Sequence, residues 1–143
     1  MNFSMLVKAE LLLLSVLLVG CISRLDGEPL VPEAYEGVFY VERQPNDGRN
    51  LAHNIATQLR ARGLRATHGE VGDAPEKADY IVSYIDRWRW DMRMYLINLR
   101  IQARDRSTSG MVGYGDSHQT SLAASWRHHD DITTRALDQR LLH

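Results

Sequence analysis

Hydrophobic and polar positions in the first half of the chain predict a strand followed by a helix. Residues 38–41 are β-branched or aromatic and are bounded by turn-forming residues, a pattern typical of a strand. In residues 49–62 the apolar positions recur at helical spacing. Asn46 or Asp47 is suited to cap the start of this helix, and Gly63 is suited to end it. The expected buried stripe consists of Leu51, Ala52, Ile55, Ala56 and Leu59.

The second half of the chain is dominated by strand patterns. Residues 64–68 predict a short strand, and residues 80–90 and 94–104 predict two long strands joined by a turn at 91–93. Residues 111–120 predict a further strand. In 94–104 apolar and polar positions alternate, which predicts one buried and one solvated face. The expected buried positions are Tyr95, Ile97, Leu99, Ile101 and Ala103.

A helix that begins at Asp130 or Asp131 completes the predicted order, β-α-β-β-β-β-α. Consecutive hairpins with helices at the start and at the end predict the α+β class, with an antiparallel-rich sheet and helices on one face. We expect residues 37–143 to form this single α+β domain. The apolar positions of the last helix are Ile132, Ala136, Leu137 and Leu141.

An apolar run at residues 11–19 precedes the only cysteine of the chain, Cys21. The run is too short for a membrane-spanning helix, which needs about 20 residues, but it suits the hydrophobic part of a signal peptide. Leu18-Val19-Gly20-Cys21 resembles a lipobox, where a signal peptidase cleaves after lipid is attached to the cysteine thiol. The resemblance implies that residues 1–20 are removed and that Cys21 carries acyl chains such as palmitate. An ordinary secretory signal, or a short anchor with an incidental cysteine, is the alternative.

The residues that follow Cys21 indicate which membrane anchors the protein and how far from it the domain can lie. Ile22 stands where an aspartate would favour the inner membrane. The resemblance to proteobacterial lipoproteins therefore implies the periplasmic face of the outer membrane. Residues 21–36 contain turn-forming residues without strand or helix periodicity, so we expect a lipidated N-terminus and a tether. Fully extended, such a tether reaches about 50 Å and keeps the domain close to the bilayer.

Element order, size and lipobox together resemble the small single-domain lipoproteins of proteobacterial envelopes. The similarity includes residues 78–84 (Ala-Asp-Tyr-Ile-Val-Ser-Tyr) and covers roughly residues 37–142. The domain of those lipoproteins is catalogued only as a domain of unknown function. The resemblance implies a fold and a membrane-anchored location, with no activity attached.

Composition narrows the classes of function. The formal charge of −1, from 17 basic and 18 acidic residues, lacks the basic excess of a nucleic-acid-binding protein, so we expect no nucleic-acid partner. With Cys21 used for lipid, no thiol is left for a disulfide, a metal site or a nucleophile. No motif indicates a cofactor, and we expect none.

Residues 86–95 are the most distinctive stretch of the mature chain. On a strand, the two tryptophans of this stretch share one face and the arginines beside them share the other. Such groups anchor protein interfaces, and they can also bind glycans. The alternative is that the tryptophans cover the sheet beneath a helix while the arginines pair with Asp86 and Asp91. The candidate partner-binding residues are Arg87, Trp88, Arg89, Trp90, Arg93 and Tyr95.

The weak candidates for a metal site are His118, His128, His129 and Asp130. Imidazole and carboxylate groups suit zinc or nickel, but adjacent histidines cannot easily face one ion, and capping of the last helix is a simpler role for the aspartate. Ser117 lacks the Gly-x-Ser-x-Gly turn of a hydrolase nucleophile. The glycines of residues 110–115 match no phosphate loop and instead indicate a bulge or a close backbone approach.

These observations favour a non-enzymatic envelope lipoprotein that binds a protein or glycan partner through residues 86–95. The alternative is a metal-dependent periplasmic enzyme that uses the histidines and aspartates near residues 118–131. A third hypothesis is a structural part of an envelope assembly, in which the sheet or its edge packs against neighbouring molecules.

Overall fold

The computed structural model of the protein describes residues 23–91, 93–119 and 129–142. Cys21 and the predicted signal peptide lie outside this part of the chain. The described residues include two α-helices, α1 (Leu51–Ala61) and α2 (His129–Ala136). They also form the strands β1 (Ser23–Glu28), β2 (Val38–Arg43), β3 (Arg65–Glu70), β4 (Tyr80–Asp91), β5 (Arg93–Asp105) and β6 (Met111–Gln119).

These strands make one mixed sheet in the order β1-β6-β5-β4-β2-β3. The β1–β6, β6–β5 and β5–β4 pairs are antiparallel, whereas β2 is parallel to both β3 and β4. Helix α1 provides the crossover that the parallel pair β2 and β3 requires. The predicted α+β class with an antiparallel-rich sheet is confirmed, and the structure adds two parallel pairs at one side.

Both helices pack on the same face of the sheet. Helix α1 lies against β2 and β3, and helix α2 lies against β5 and β6 and touches α1. Helix α2 continues into a π-helical turn at Leu137–Leu141, and a short 3₁₀ helix covers Pro32–Glu36. No helix in the described part of the chain is both long enough and apolar enough to cross a bilayer.

Helix α1 forms as the hydrophobic pattern predicts, with its whole apolar stripe buried. After the helix, Gly63 adopts a left-handed φ of 85°, and the N–H of Leu64 donates to the carbonyl of Leu59 at 3.2 Å. The N-terminal cap differs from the prediction in detail. The helix begins directly after Asn50, and the Asp47 carboxylate reaches forward to accept N–H groups of the first turn.

Residues expected to form a tether take part in the fold. Ser23–Glu28 is the edge strand β1, paired with β6 so that Arg24 lies opposite His118. Pro32–Glu36 is helical, and the segment between these elements contributes Leu30 to the hydrophobic core. The expectation of a tether over residues 21–36 is therefore corrected from residue 23 onward. The sequence did not indicate a strand here because an edge strand depends on its neighbour's hydrogen bonds and buries little apolar surface.

The alternation predicted along β5 holds for its C-terminal half, where every second residue is buried. Its register with β4 shifts at Ile97, which has no paired residue, and the alternation inverts there. Leu96, which the predicted alternation places on the solvated face, therefore belongs to the core. Tyr95, predicted on the core-facing side, lies instead on the opposite face and pairs with Arg89.

Glycines on β6 allow the backbone of other segments to approach the sheet. A Cβ atom at Gly115 would lie 2.1 Å from the carbonyl oxygen of Ala136, and one at Gly113 would lie 3.0 Å from the backbone of Leu30. A close backbone approach was one of the two roles predicted for these glycines, and both positions show it. The predicted apolar positions of the last helix are all buried: Ile132, Ala136, Leu137 and Leu141.

Candidate functional site

The β4–β5 hairpin places the candidate partner-binding residues at one end of the sheet. We refer to residues 87–91 and 93–96 as the hairpin tip. Trp90 in β4 is 69% exposed, and its cross-strand partner Met94 in β5 is 39% exposed. Paired residues on one face of an antiparallel sheet have their side chains close together. Trp90 and Met94 therefore form an exposed apolar pair.

Trp88 has a different environment from Trp90. It is half-buried against the hydrophobic core, and its indole Nε1–H donates to Asp86 Oδ2 at 2.5 Å. The guanidinium carbon of Arg49 lies 4.5 Å from the centre of its ring, a cation–π contact. The interpretation in which tryptophans cover the sheet thus describes Trp88, whereas Trp90 fits the interpretation of an exposed surface.

The other candidates at the hairpin tip also include both exposed and buried side chains. Arg87, Arg89 and Arg93 are exposed. Tyr95 is only 7% exposed, so it cannot form part of a contact surface, and Asp86 is engaged by the Trp88 indole. The structure therefore reduces the candidate surface to the apolar pair and three arginines.

The face of the sheet opposite the helices carries a polar network that the sequence did not predict. The Asp116 carboxylate accepts hydrogen bonds from Arg100 at 2.6 and 2.9 Å and from Asn98 at 2.8 Å. The Arg100 guanidinium also lies 5.8 Å from the ring centre of Tyr114. Only the register of β5 against β6 brings these side chains together. Because the Arg100–Asp116 ion pair is partly exposed, we expect it to add little to stability.

The metal candidates are only partly within the described residues. His118 is exposed on β6, whereas His128 lies outside the described part of the chain. His129 and Asp130 belong to helix α2, but their side chains are not described. Within the described residues, no group of three histidine, cysteine or carboxylate side chains could hold a metal ion. Ser117 is 2% exposed on the helix-facing side of β6 and is inaccessible to a substrate.

Two histidines that the sequence did not connect meet between α1 and β3. His53 Nδ1 lies 3.1 Å from His68 Nε2, and the two rings meet edge to face. One imidazole must donate and the other accept in this contact. Burial, followed by the neighbouring His53 ring and the Arg60 guanidinium, lowers the pKa of His68. The pair joins α1 to the edge strand β3, and the lowered pKa favours the neutral form of the His68 imidazole.

The opposite end of the sheet from the hairpin tip carries an acidic cleft of about 700 Å³. Some of its carboxylates already have partners. Asp79 accepts the N–H of Val38, and Asp105 accepts from Ser107 and Thr108. Those hydrogen bonds, the Ser107 hydroxyl first, hold the pKa of Asp105 below its usual range. The charged residues that line the cleft are Glu33, Glu36, Glu76, Asp79, Asp105 and Arg106.

Comparison with solved structures shows what fold the chain shares. A point variant of PelC from Paraburkholderia phytofirmans, a dodecamer, aligns with a TM-score of 0.56 and 16% sequence identity over 81% of this chain and 96% of PelC. A second PelC dodecamer from the same organism aligns with a TM-score of 0.54 and 15% identity over 86% of this chain and 99% of PelC. At these identities the similarity shows a common fold alone.

A minor lipoprotein from Acinetobacter baumannii aligns with a TM-score of 0.33 and 13% identity, over 74% of this chain and 86% of that protein. That score is too low to establish a shared fold. No protein-family model matches the sequence, and no curated protein is significantly similar to it.

Proposed function

We propose that the chain is an envelope lipoprotein anchored through Cys21, and that its domain is a non-enzymatic assembly module whose first partner is another copy of itself. The proposal has two halves, anchoring and self-assembly. The N-terminal pattern supports anchoring, because an apolar run of signal-peptide length leads into the lipobox at residues 18–21. The sheet supports self-assembly.

The two edges of the sheet are the observation that carries the self-assembly half. Among the described residues, β1 pairs only with β6, and β3 pairs only with β2. An edge strand presents backbone N–H and C=O groups that can pair with a strand of another chain. Because the two edges differ, identical copies can join head to tail, a contact that closes into a ring where the rotation permits.

The fold comparison is compatible with self-assembly. PelC, which has the same fold, is a dodecamer in both solved structures. A shared fold offers the same edges and faces for packing between copies. Self-assembly is therefore the form of the assembly hypothesis that the structure supports best.

A charge on the β3 edge tests self-assembly. Thr67 is exposed on β3, and Thr67→Lys places a cation that a neighbouring strand would have to bury. We expect the full-length protein, purified from membranes in detergent, to be oligomeric, and we expect Thr67→Lys to shift most of it to monomer. Native mass spectrometry measures the number of copies.

The matched control adds the same charge away from the edge. Ala61 is exposed at the end of α1, and Ala61→Lys should leave the oligomer intact. A parent protein that stays monomeric at every accessible concentration contradicts the self-assembly half. Loss of the oligomer in both variants contradicts the assignment to the β3 edge.

A further inference from the structure

Strand direction places the start of β1 and the hairpin tip at the same end of the sheet. β1 is antiparallel to β6, β6 to β5 and β5 to β4, so β1 and β4 run in opposite directions. β1 therefore begins at the end where β4 finishes. One row of paired residues crosses the four strands near this end: Arg24, His118, Asn98 and Arg87.

Counting outward from this row limits how far the attachment point of a lipid on Cys21 could lie from Trp90. Trp90 lies three residues beyond Arg87, which is about 10 Å along a strand. Cys21 is two residues before Ser23, so it can lie no further than about 7 Å from the start of β1. Three strand spacings separate β1 from β4, roughly 14 Å. A lipid on Cys21 would therefore leave the protein at the same end of the sheet as the hairpin tip.

The side chains at this end suit the surface of a bilayer. Trp90 and Met94 expose an apolar pair, and tryptophan is enriched where proteins meet the headgroup region. The hairpin tip contains three arginines and one aspartate, Asp91. Guanidinium groups form strong charge-assisted hydrogen bonds with phosphate, and basic residues are drawn to anionic lipid surfaces.

The charge at the opposite end of the sheet favours the same orientation. The acidic cleft brings five carboxylates together with a single arginine, and it lies at the start of β4, the far end from the hairpin tip. An anionic membrane surface repels this end and attracts the arginine-bearing end. The domain is therefore electrostatically biased to face the bilayer with its hairpin tip.

We infer that the hairpin tip is a membrane-contact surface. In the anchored protein Trp90 and Met94 enter the headgroup region of the leaflet that holds the lipid, and the arginines of the hairpin tip bind phospholipid phosphates. This inference rests on the anchoring half of the proposed function and is independent of self-assembly. It proposes that the hairpin tip contacts a phospholipid surface and not a protein or a glycan.

Quenching of tryptophan fluorescence by brominated lipids tests the contact. The full-length lipidated protein is incorporated into vesicles of phosphatidylethanolamine and phosphatidylglycerol whose acyl chains carry bromine near the headgroup. The sequence contains three tryptophans, so the readout is the difference between the parent and Trp90→Phe. We expect the parent emission to be quenched and most of that quenching to be lost in Trp90→Phe.

Moving the tryptophan to the other end of the sheet is the matched control. Met111 is 45% exposed at the start of β6, far from the hairpin tip. Trp90→Phe combined with Met111→Trp should be quenched no more than Trp90→Phe alone. Equal quenching of the parent and Trp90→Phe overturns the inference, and so does strong quenching of the Met111→Trp combination.

Photocrosslinking in cells distinguishes whether the hairpin tip contacts lipid, protein or glycan. A photoreactive phenylalanine analogue in place of Trp90 should form adducts with phospholipid. Adducts with a protein or a glycan, and none with lipid, overturn the inference in favour of a binding partner. A parent protein that does not sediment with membranes contradicts the anchoring half of the proposed function. An anchored protein without lipid adducts contradicts only the membrane contact.

Discussion

Asp47 connects the turn before α1 to the centre of the sheet. Its carboxylate accepts the N–H groups of Leu51 and Ala52 at 2.9 and 3.0 Å, and it also accepts the Tyr84 hydroxyl at 2.8 Å. The Tyr84 oxygen accepts the N–H of Gln44 at 3.0 Å. Burial, reinforced by Asp47, raises the pKa of Tyr84 well above its usual value. A single buried carboxylate thus orders both the helix start and the strand beneath it.

Substitution of Asp47 should destabilise the domain in a pH-dependent way. Burial raises the pKa of Asp47, but hydrogen bonds from Ala52, Leu51 and Tyr84 outweigh it and leave the pKa below its usual value. The ionised carboxylate therefore stabilises the folded state above about pH 4, and this stability is lost as the pH falls through the lower pKa of the folded state. We expect Asp47→Asn to lower the free energy of unfolding by about 1–3 kcal/mol at pH 7, because the amide has only one accepting oxygen and leaves at least one of the three donors without an acceptor.

Urea unfolding at pH 7 and at pH 3.5 measures this effect. The difference between Asp47→Asn and the parent should narrow at the lower pH, because the parent then loses the contribution of the ionised group. Asp73→Asn, at an exposed loop aspartate, is the control and should change stability little at either pH. An equal difference at both pH values would show that the charge of Asp47 is not the stabilising feature.

Trp88 and Trp90 show which features of the candidate site the sequence could predict. The period of two along a strand places both indoles on one face, and the register of β4 against β5 agrees. Their exposure differs because Arg49 and Asp86 engage Trp88, and a helix, a strand and most of β4 separate Arg49 from Trp88 in the sequence. Spacing could therefore predict the shared face but not which indole is covered.

At the scale of elements, the packing of α2 on β6 depends on the lack of a Cβ atom at Gly115. A Cβ at Gly115 meets the backbone of Ala136 at 2.1 and 3.0 Å, and a backbone segment cannot move aside as the end of a side chain can. We expect Gly115→Ala to lower the free energy of unfolding by about 1–3 kcal/mol, as overpacking does. Gly48→Ala is the control, because a Cβ there meets nothing within 4 Å.

Thermal unfolding followed by circular dichroism compares these two glycine variants. A lower Tm for Gly115→Ala than for the parent, with Gly48→Ala unchanged, is the expected result. A Gly115→Ala variant as stable as the parent would mean that α2 can shift away from β6 without loss of packing.

The elements that the sequence described incompletely are those whose form depends on a partner strand. Ser23–Glu28 has no apolar alternation, and it becomes β1 because β6 offers an unpaired edge. The bulge at Ile97 inverts the faces of β5, and the apolar run at residues 94–97 does not indicate that inversion. Helix α1 needed no partner to be predicted, since its stripe and its cap residues are local.

At the scale of the whole molecule, the sheet should stand on the membrane with its strands upright. β4 has 12 residues and spans about 40 Å, which separates the hairpin tip from the acidic cleft. Cys21 is the only cysteine, so a cysteine introduced elsewhere provides a single site for a dye once Cys21 carries lipid. We expect energy transfer to a dye in the membrane to be strong from Asn46→Cys, near the hairpin end, and weak from Ser107→Cys, in the acidic cleft.

The control is the same pair of dye-labelled variants in detergent, where energy transfer from the two sites should not differ. Similar transfer from both sites in vesicles would mean that the sheet lies flat on the membrane and would contradict the upright orientation.

Upright strands make the two proposals compatible. The free edges β1 and β3 then lie at the sides of the domain, so copies that join edge to edge are related by rotation about the membrane normal. Every copy would keep its lipid and its hairpin tip on the same leaflet. Assembly of this kind would strengthen membrane binding by avidity, because the hairpin tips of one oligomer would contact the membrane together.

The sequence by itself determined which residues face inward on α1, on most of β5 and on the last helix, because the periods of 3.6 and 2 are local properties of the chain. The resemblance to a lipobox that underlies the anchoring proposal also rests on a local pattern. Only the tertiary structure decided that residues 23–28 form a strand, that Ile97 inverts a face and that β1 starts at the end of the sheet that carries Trp90. These features depend on strand register, which is set by contacts between residues distant in sequence.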